Sequence, residues 1–218
     1  MNGVGRRILL ICGAIGPPLF VAVFLREGST RPGYDPRRHP VSSLAIGARG
    51  WRQVANFVMV GTAIVAFSRG MRAGRAGATS GTEWEARLLG VAGSGLIGAG
   101  IFSTDPVFGY PPAAPLLLKQ ESPSGHLHNL ASLLFFAGLP GACFVAGRRA
   151  EQAGKRLWAT YSLLTGVAML VTFVLAGMGF TQHPRLAQNA GVVQRLSITT
   201  GLAWTTLRAV QLLRGDRA

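Results

Sequence analysis

Six stretches of the chain carry few or no charged residues, and each is long enough to cross a lipid bilayer as a helix. A membrane-spanning helix needs about 20 predominantly apolar residues. The pattern therefore predicts an all-α, polytopic membrane protein, a bundle of about six transmembrane helices that forms a single domain over residues 1–218. The predicted spans cover approximately residues 8–25, 51–68, 88–104, 122–147, 157–180 and 191–213.

Proline and serine residues add local detail to the first and fourth predicted spans. Pro17 and Pro18 lie in the middle of the first span and predict a kink there, because proline cannot donate the helical hydrogen bond. Pro140 predicts a second kink in the fourth span. Ser122 followed by Pro123 is typical of a helix N-cap and first helical residue, so we expect the fourth helix to begin at this point.

The third and sixth predicted spans are less regular than the others. Gly90, Ser94 and Gly98 recur every four residues in the third span, which predicts a face where another helix approaches closely. Arg208 lies near the end of the sixth span, and we expect its side chain to extend toward the lipid headgroups. Cys143 lies within the fourth span near the cytoplasmic side, as Cys12 does in the first, so no disulfide is expected.

Charged residues are scarce and lie mainly at the ends of the apolar stretches. They make up 14% of the chain, against about a quarter in soluble domains. The net charge of +14 would suggest nucleic-acid binding in a soluble protein, but basic residues at span ends contact lipid headgroups, so no nucleic-acid partner is expected. With the N-terminus inside, the inner segments hold 13 Lys and Arg residues and the outer segments hold 9. This bias predicts cytoplasmic termini and a multi-pass protein of the cell inner or plasma membrane.

Nearly all residues capable of chemistry fall on the predicted outer side of the membrane, including all four histidines. His126 and His128 are two residues apart, or about 200° around a helix, so only one of them can face the interior of the bundle. His128 lies deeper in the span and is the better candidate. The candidate functional cluster consists of Asp35, His39, Asp105, His128, Gln194 and Arg195.

Three members of this cluster have several interpretations. A buried pair of Asp105 and His128 can orient a general base or provide two ligands to a metal ion. The same pair can also simply close the outer end of the bundle through mutual hydrogen bonds. Arg195 can pair with Asp105 or Asp35, bind an anionic lipid headgroup, or lie at the membrane interface. The common motifs of soluble enzymes are missing from the sequence, and no particular cofactor or oligomeric state is predicted.

A set of short elements runs in order along nearly the whole chain. They are Tyr34-Asp35-Pro36, residues 39–44, Gly50-Trp51-Arg52-Gln53, Asn56-Phe57, Phe102, Asp105-Pro106, Gly125, Leu127-His128, Leu139-Pro140, Trp158, Tyr161-Ser162 and Gln194-Arg195-Leu196. In these elements the chain resembles the prokaryotic membrane-protein family catalogued as domain of unknown function 998. The resemblance implies a six-span bundle without an agreed activity. It also singles out His128 over His126, together with Asp105, Gln194 and Arg195.

Two kinds of function are compatible with these features. The first is a non-enzymatic membrane protein that binds a lipid headgroup, a small molecule or a partner at the outer polar cluster. The second is an intramembrane metal-dependent hydrolase or redox enzyme that uses His128 and Asp105. A transporter is not favoured, because the two halves of the chain show no internal repeat.

Overall fold

The computed structural model describes residues 3–73 and 80–215, with the backbone alone at 80 and 81. Two of the 13 inner basic residues, Arg75 and Arg217, lie outside the described residues. Two short 3-10 helices, Val41–Ala45 and Ala187–Asn189, precede the second and sixth α-helices. The α-helices are α1 (Gly3–Thr30), α2 (Gly50–Ala73), α3 (Ser80–Ile101), α4 (Pro123–Gln152), α5 (Arg156–Phe180) and α6 (Ala190–Gly215).

Each helix occupies one of the six predicted stretches, and the prediction of a helical polytopic membrane bundle is confirmed. The third helix extends beyond the predicted span, because α3 begins at Ser80 rather than near residue 88. Its first two turns carry Glu83, Glu85 and Arg87. Glutamate and arginine have high helix propensities, so a charged segment continues a helix that an apolar pattern would end.

Four of the helices described, α1, α2, α4 and α5, are long and apolar enough to cross a membrane. The other two carry charged residues that lower their apolarity, such as Glu85 in α3 and Arg195 in α6. Both of these side chains are buried, at 0% and 9% exposure. These two charged groups therefore face the interior of the bundle, where protein groups can satisfy them.

The six helices form a closed ring in chain order. Each helix packs against the one before it, and α6 closes the ring against α1. Neighbouring helices are antiparallel, as the contacts of Gly61 with Gly93 and of Val54 with Gly100 show for α2 and α3. Segments 31–49, 102–122 and 181–189 therefore lie at one end of the ring, called the loop end below. The opposite end, where α1 begins and α6 finishes, is called the terminal end.

Glycines of α3 allow close approach on two sides of that helix. A Cβ on Gly93 would lie 2.7 Å from the Gly61 carbonyl oxygen of α2, and one on Gly95 would lie 2.6 Å from the Ala131 carbonyl oxygen of α4. Ser94 is exposed, so the predicted face through residues 90, 94 and 98 is not the packing face. Small residues lie on both sides because α3 packs closely against two neighbouring backbones.

A buried carboxylate joins three helices at the terminal end. Glu85 of α3 is fully buried, and its Oε1 accepts a hydrogen bond from Arg208 Nε of α6 at 2.6 Å. Its Oε2 accepts from Arg208 Nη2 at 3.1 Å and from Arg149 Nη1 of α4 at 2.9 Å. Arg208 therefore does not extend toward lipid headgroups as predicted, because an ion pair inside the ring offers it a charged partner.

We expect the substitution Glu85→Gln to destabilise the protein by about 3 kcal/mol, because removing one member of a buried ion pair leaves its cations uncompensated. Thermal unfolding of the purified protein in detergent measures this loss. Glu83→Gln is the matched control on the same helix, because Glu83 pairs with Arg87 where both side chains are nearly half exposed, at 43% and 49%. Such an exposed pair contributes at most about 1 kcal/mol. Equal losses in the two variants would contradict a special role for the buried cluster.

Candidate functional site

Arg195 connects the first turns of α6 to the segment that follows α1. It is 9% exposed, and its Nη1 donates to the carbonyl oxygens of Pro36 at 2.7 Å, His39 at 3.1 Å and Gly191 at 2.9 Å. Its Nη2 donates to the hydroxyl oxygen of Tyr34. A single guanidinium, with its planar set of donors, thereby fixes the path of residues 34–41, called the cover segment below.

The contacts that Arg195 forms in the structure differ from the partners predicted for it. Among the described residues no carboxylate pairs with Arg195, Asp35 and Asp105 included, and the side chain is buried inside the protein. The guanidinium carbon lies 5.8 Å from the ring centroid of Phe24 and 5.6 Å from that of Tyr34. Burial raises the pKa of Tyr34 to about 12, so its hydroxyl stays protonated. Carbonyl oxygens, a hydroxyl and two aromatic faces thus offset the lost hydration of this charge.

The start of α6 holds the cover segment through further hydrogen bonds. The amide oxygen Oε1 of Gln194 accepts from the Val41 N–H at 2.9 Å. The N–H groups of Gly191 and Val192 donate to the Arg37 carbonyl oxygen, at 2.8 and 3.2 Å. The first N–H groups of a helix have no partner within the helix, and here the cover segment provides one.

His39 of the cover segment is buried and neutral. Its Nδ1 accepts from the Asp35 N–H at 2.8 Å, so its Nε2 carries the proton and donates to the Phe108 carbonyl oxygen at 3.1 Å. Burial lowers the pKa of His39, against the opposing effects of the Phe108 hydrogen bond and the nearby Asp35 carboxylate. The imidazole packs against the rings of Tyr34 and Tyr110, with centroid distances of 5.4 Å to each. Three buried rings thereby close this part of the loop end.

Asp105 caps the N-terminus of α4. Its Oδ2 accepts from the Ser122 N–H at 3.0 Å, and the Ser122 side chain accepts from the Gly125 N–H at 2.9 Å. The predicted N-cap at Ser122 is confirmed, with Pro123 as the first helical residue. A Cβ at Gly125 would lie 2.0 Å from Asp105 Oδ2, so glycine is required where the carboxylate crosses the helix start. A carboxylate in this position also stabilises the positive end of the helix dipole.

His128 joins α4 to the end of α3. The side chain is 3% exposed, and its Nδ1 lies 3.0 Å from the carbonyl oxygens of both Ala99 and Phe102. A carbonyl oxygen only accepts hydrogen bonds, so Nδ1 carries the proton and Nε2 of the neutral ring is an acceptor. Within residues 3–73 and 80–215 nothing forms a hydrogen bond with Nε2.

The structure does not bring Asp105 and His128 into the direct pair considered from the sequence. Asp105 instead accepts a hydrogen bond from the backbone at the start of α4, and His128 forms hydrogen bonds with backbone carbonyl oxygens at the end of α3. In the described part of the chain, no three His, Cys, Asp or Glu side chains are grouped so that they could hold a metal ion. The geometry therefore gives no support to a metal-dependent enzyme built on these two residues.

A cavity of about 570 Å³ lies inside the ring, at the loop end and beneath the cover segment. All six helices contribute to its wall, which is mainly apolar and aromatic. The central lining residues, one from each helix in order, are Phe20, Phe57, Leu96, Phe136, Phe173 and Ile198.

The polar lining of the cavity is small and has a definite charge character. It includes the carboxylates of Asp105 and Glu121, the imidazoles of His126 and His128, the amides of Asn129 and Gln194, and several hydroxyl groups. No Arg or Lys side chain of the described residues is among its lining, although the whole chain has 22 such residues. The cavity is thus a mainly apolar chamber with two carboxylates and several neutral polar groups, and without a Lys or Arg side chain from the described part of the chain.

The six residues predicted as one cluster divide into two groups. Asp105, His128 and Gln194 line the cavity, whereas the other three predicted residues fix the cover segment above it. The division depends on which backbone N–H or carbonyl group each side chain reaches, and a sequence pattern does not contain that information. Glu121 was not among the predicted residues, because it lies in a segment without a recognisable motif.

Glu27 is a buried carboxylate at the loop end that the sequence analysis missed. It is 4% exposed and forms ion pairs with Arg31 at 2.9 Å, Arg49 at 3.1 Å and Arg52 at 3.0 Å. The sequence feature that indicates this ion pair is the single acidic residue at the end of the first apolar stretch, with Arg31 four residues later. This spacing places the two side chains together on a helix.

A ring of six largely apolar helices, with the charged side chains of Glu27, Glu85 and Arg195 buried inside it, defines a helical polytopic membrane protein. The family model described as "Protein of unknown function (DUF998)" matches residues 14–211, and the chain belongs to this family. No curated protein and no solved structure matches the chain significantly.

We expect the stability of the protein to fall as the pH falls below about 6.5, in part because of His39. Its pKa is lowered in the folded state from the ordinary value of 6.5, so below that pH the unfolded chain binds more protons than the folded one. One such group contributes at most about 1.4 kcal/mol per pH unit. Thermal unfolding at pH values from 7.5 to 5 measures the slope.

His39→Gln should flatten this pH dependence, because the variant has no titrating group at that position. His183→Gln is the control, since His183 is only partly buried and its Nδ1 accepts a single local hydrogen bond from the Arg185 N–H. Parallel curves for wild type and His39→Gln would show that protonation of His39 does not govern the acid sensitivity.

Proposed function

We propose that the chain binds an amphiphilic molecule, a lipid or small molecule with an apolar body and a polar head, in the loop-end cavity. The observation that carries this proposal is the free acceptor Nε2 of His128 in a 570 Å³ chamber that is otherwise mainly apolar. Pockets for small ligands typically have volumes of about 300–1,000 Å³ and combine apolar walls with a few polar groups.

The charges around the cavity indicate which polar head it would accept. Nε2 of neutral His128 accepts a hydrogen bond, and the carboxylates of Asp105 and Glu121 lie in the same lining. With no Arg or Lys there among the described residues, a phosphate or carboxylate head would meet the negative charge of two carboxylates without a basic side chain to compensate it. Arg195, the nearest candidate cation by sequence, is occupied by the cover segment. We infer that the head is an uncharged hydroxyl or a cation.

The apolar body of the ligand would occupy the part of the chamber below His128. Phe136 and Phe173 stack there, with their ring centroids 4.3 Å apart, and form an aromatic wall together with Phe57. Aromatic and aliphatic surfaces pack against an alkyl chain through dispersion contacts, without demanding a particular orientation. Recognition would thus reside in the head.

We further propose that the protein is a multi-pass protein of the cell membrane, with its loop end on the outer side. The support is the excess of basic residues at the terminal end, which the positive-inside rule assigns to the cytoplasm. The proposed site then faces the outer leaflet.

His128→Asn tests the proposed role of Nε2. An asparagine amide nitrogen can replace Nδ1 as the donor to the Ala99 and Phe102 carbonyl oxygens, but the variant has no group at the position of Nε2. Loss of one hydrogen bond to a buried ligand group corresponds to about tenfold weaker binding. We expect this loss when purified protein is titrated with monoolein, an uncharged lipid with hydroxyl groups, and the complexes are counted by native mass spectrometry.

His183→Asn is the matched control, because His183 is at the loop end but outside the cavity lining. Oleate has the same chain with an anionic head, and we expect it to bind far more weakly than monoolein. Equal binding of monoolein to wild type and His128→Asn, or equal binding of oleate and monoolein to wild type, would reject the proposed head recognition.

A further inference from the structure

The cavity is covered on the side of the loop end. The rings of Tyr34, His39 and Tyr110 pack together, and the cover segment is held on α6 by Arg195. Segment 102–122 adds a second contact, where the ring centroid of Phe108 lies 5.0 Å from that of Phe180 at the end of α5. A ligand arriving from water would have to separate these buried contacts.

The wall of the cavity between α4 and α5 is different. In the terminal half these two helices pack closely: a Cβ on Gly147 would lie 2.8 Å from Leu163, and one on Gly166 would lie 2.6 Å from Phe144. In the loop half, a Cβ on Gly177 would have no atom within 4 Å. The two helices therefore stop interlocking beyond the Phe136–Phe173 stack.

Residues in this gap belong to the cavity and to the outer surface at the same time. Leu130 and Leu133 of α4 line the cavity and are also 48% and 49% exposed. Gly177 of α5 is likewise both lining and exposed. A side chain that lines a chamber while half exposed marks a place where the chamber opens, and the surface around this opening is apolar. In a membrane-spanning helix such a surface faces hydrocarbon.

We infer that the ligand is a bilayer lipid with an uncharged hydroxyl head, which enters sideways between the loop halves of α4 and α5. This inference rests on the proposed binding function and adds the source of the ligand and its route. A lipid tail can pass the apolar gap without leaving hydrocarbon. A cationic head would be drawn to the bilayer surface, whereas a neutral hydroxyl head can follow its tail into the chamber.

The depth of His128 fits a lipid that keeps its normal orientation. His128 lies five residues after Pro123, the first residue of α4, which corresponds to about 8 Å along the helix axis. That is near the boundary between headgroups and hydrocarbon at the loop end. A lipid moving sideways into the gap would place its head close to Nε2 and its tail along Phe136 and Phe173, without turning over.

The test uses the full chain in lipid nanodiscs that contain monoolein with a photoactivatable diazirine at the end of its tail. After illumination, labelled peptides are identified by mass spectrometry. We expect labelling within the cavity wall of α4 and α5 in wild type. Gly177→Trp fills the gap from α5 and should reduce this labelling about tenfold. Met178→Trp adds the same ring at the same level of α5 outside the cavity lining, and should label as wild type does.

Leu133→Trp fills the gap from α4, so that a folding defect of one variant does not remove the test. Unchanged cavity labelling in folded Gly177→Trp or Leu133→Trp would overturn the lateral route. If His128→Asn still lowers labelling in that case, the binding function stands and only the route fails. If wild-type labelling is confined to the outer surface of the helices, the proposed function fails, and the lateral route fails with it.

Discussion

Charged side chains inside this bundle are satisfied by protein groups, and these contacts hold both ends of the ring. At the loop end, Glu27 joins α1 to the arginines at the start of α2. At the terminal end, Glu85 joins α3 to α4 and α6. Arg195 attaches the cover segment to α6 through carbonyl oxygens. In a low-dielectric environment a charge without partners is very costly, so each of these groups fixes the positions of the elements that surround it.

The helical architecture follows from the sequence because a bilayer allows few solutions for an apolar stretch of about 20 residues. The six helices and the cap at Ser122 were predictable on that ground. The burial of Glu85 in α3 was not, because its partner Arg208 lies 123 residues later in the chain. A local pattern identifies a helix but does not show which distant side chain will compensate its charges.

The candidate site was predictable as a set of residues more than as an arrangement. Residues 105, 128 and 194 converge on the cavity, while residues 35, 39 and 195 build its cover. The sequence suggested that His128, rather than His126, faces inward, and His128 is 3% exposed in the structure. The sequence did not predict the cavity. The cavity results from six helices that pack side by side around a centre. Buried residues such as Leu139, Met169 and Leu202 fill this centre toward the terminal end.

The helix α5 is held in the ring by different interactions from those of the other helices. Between residues 157 and 180 this helix has no charged side chain, so this part of α5 takes no part in the ion pairs of Glu27 and Glu85. Of the four helices that are long and apolar enough to cross a membrane, α5 is the least buried. Only 28% of its most apolar stretch lies inside the protein. Among the six helices of the ring, α5 is held by side-chain packing and a few neutral hydrogen bonds. Among the described residues, separating α5 from α4 would therefore break packing contacts but no ion pair.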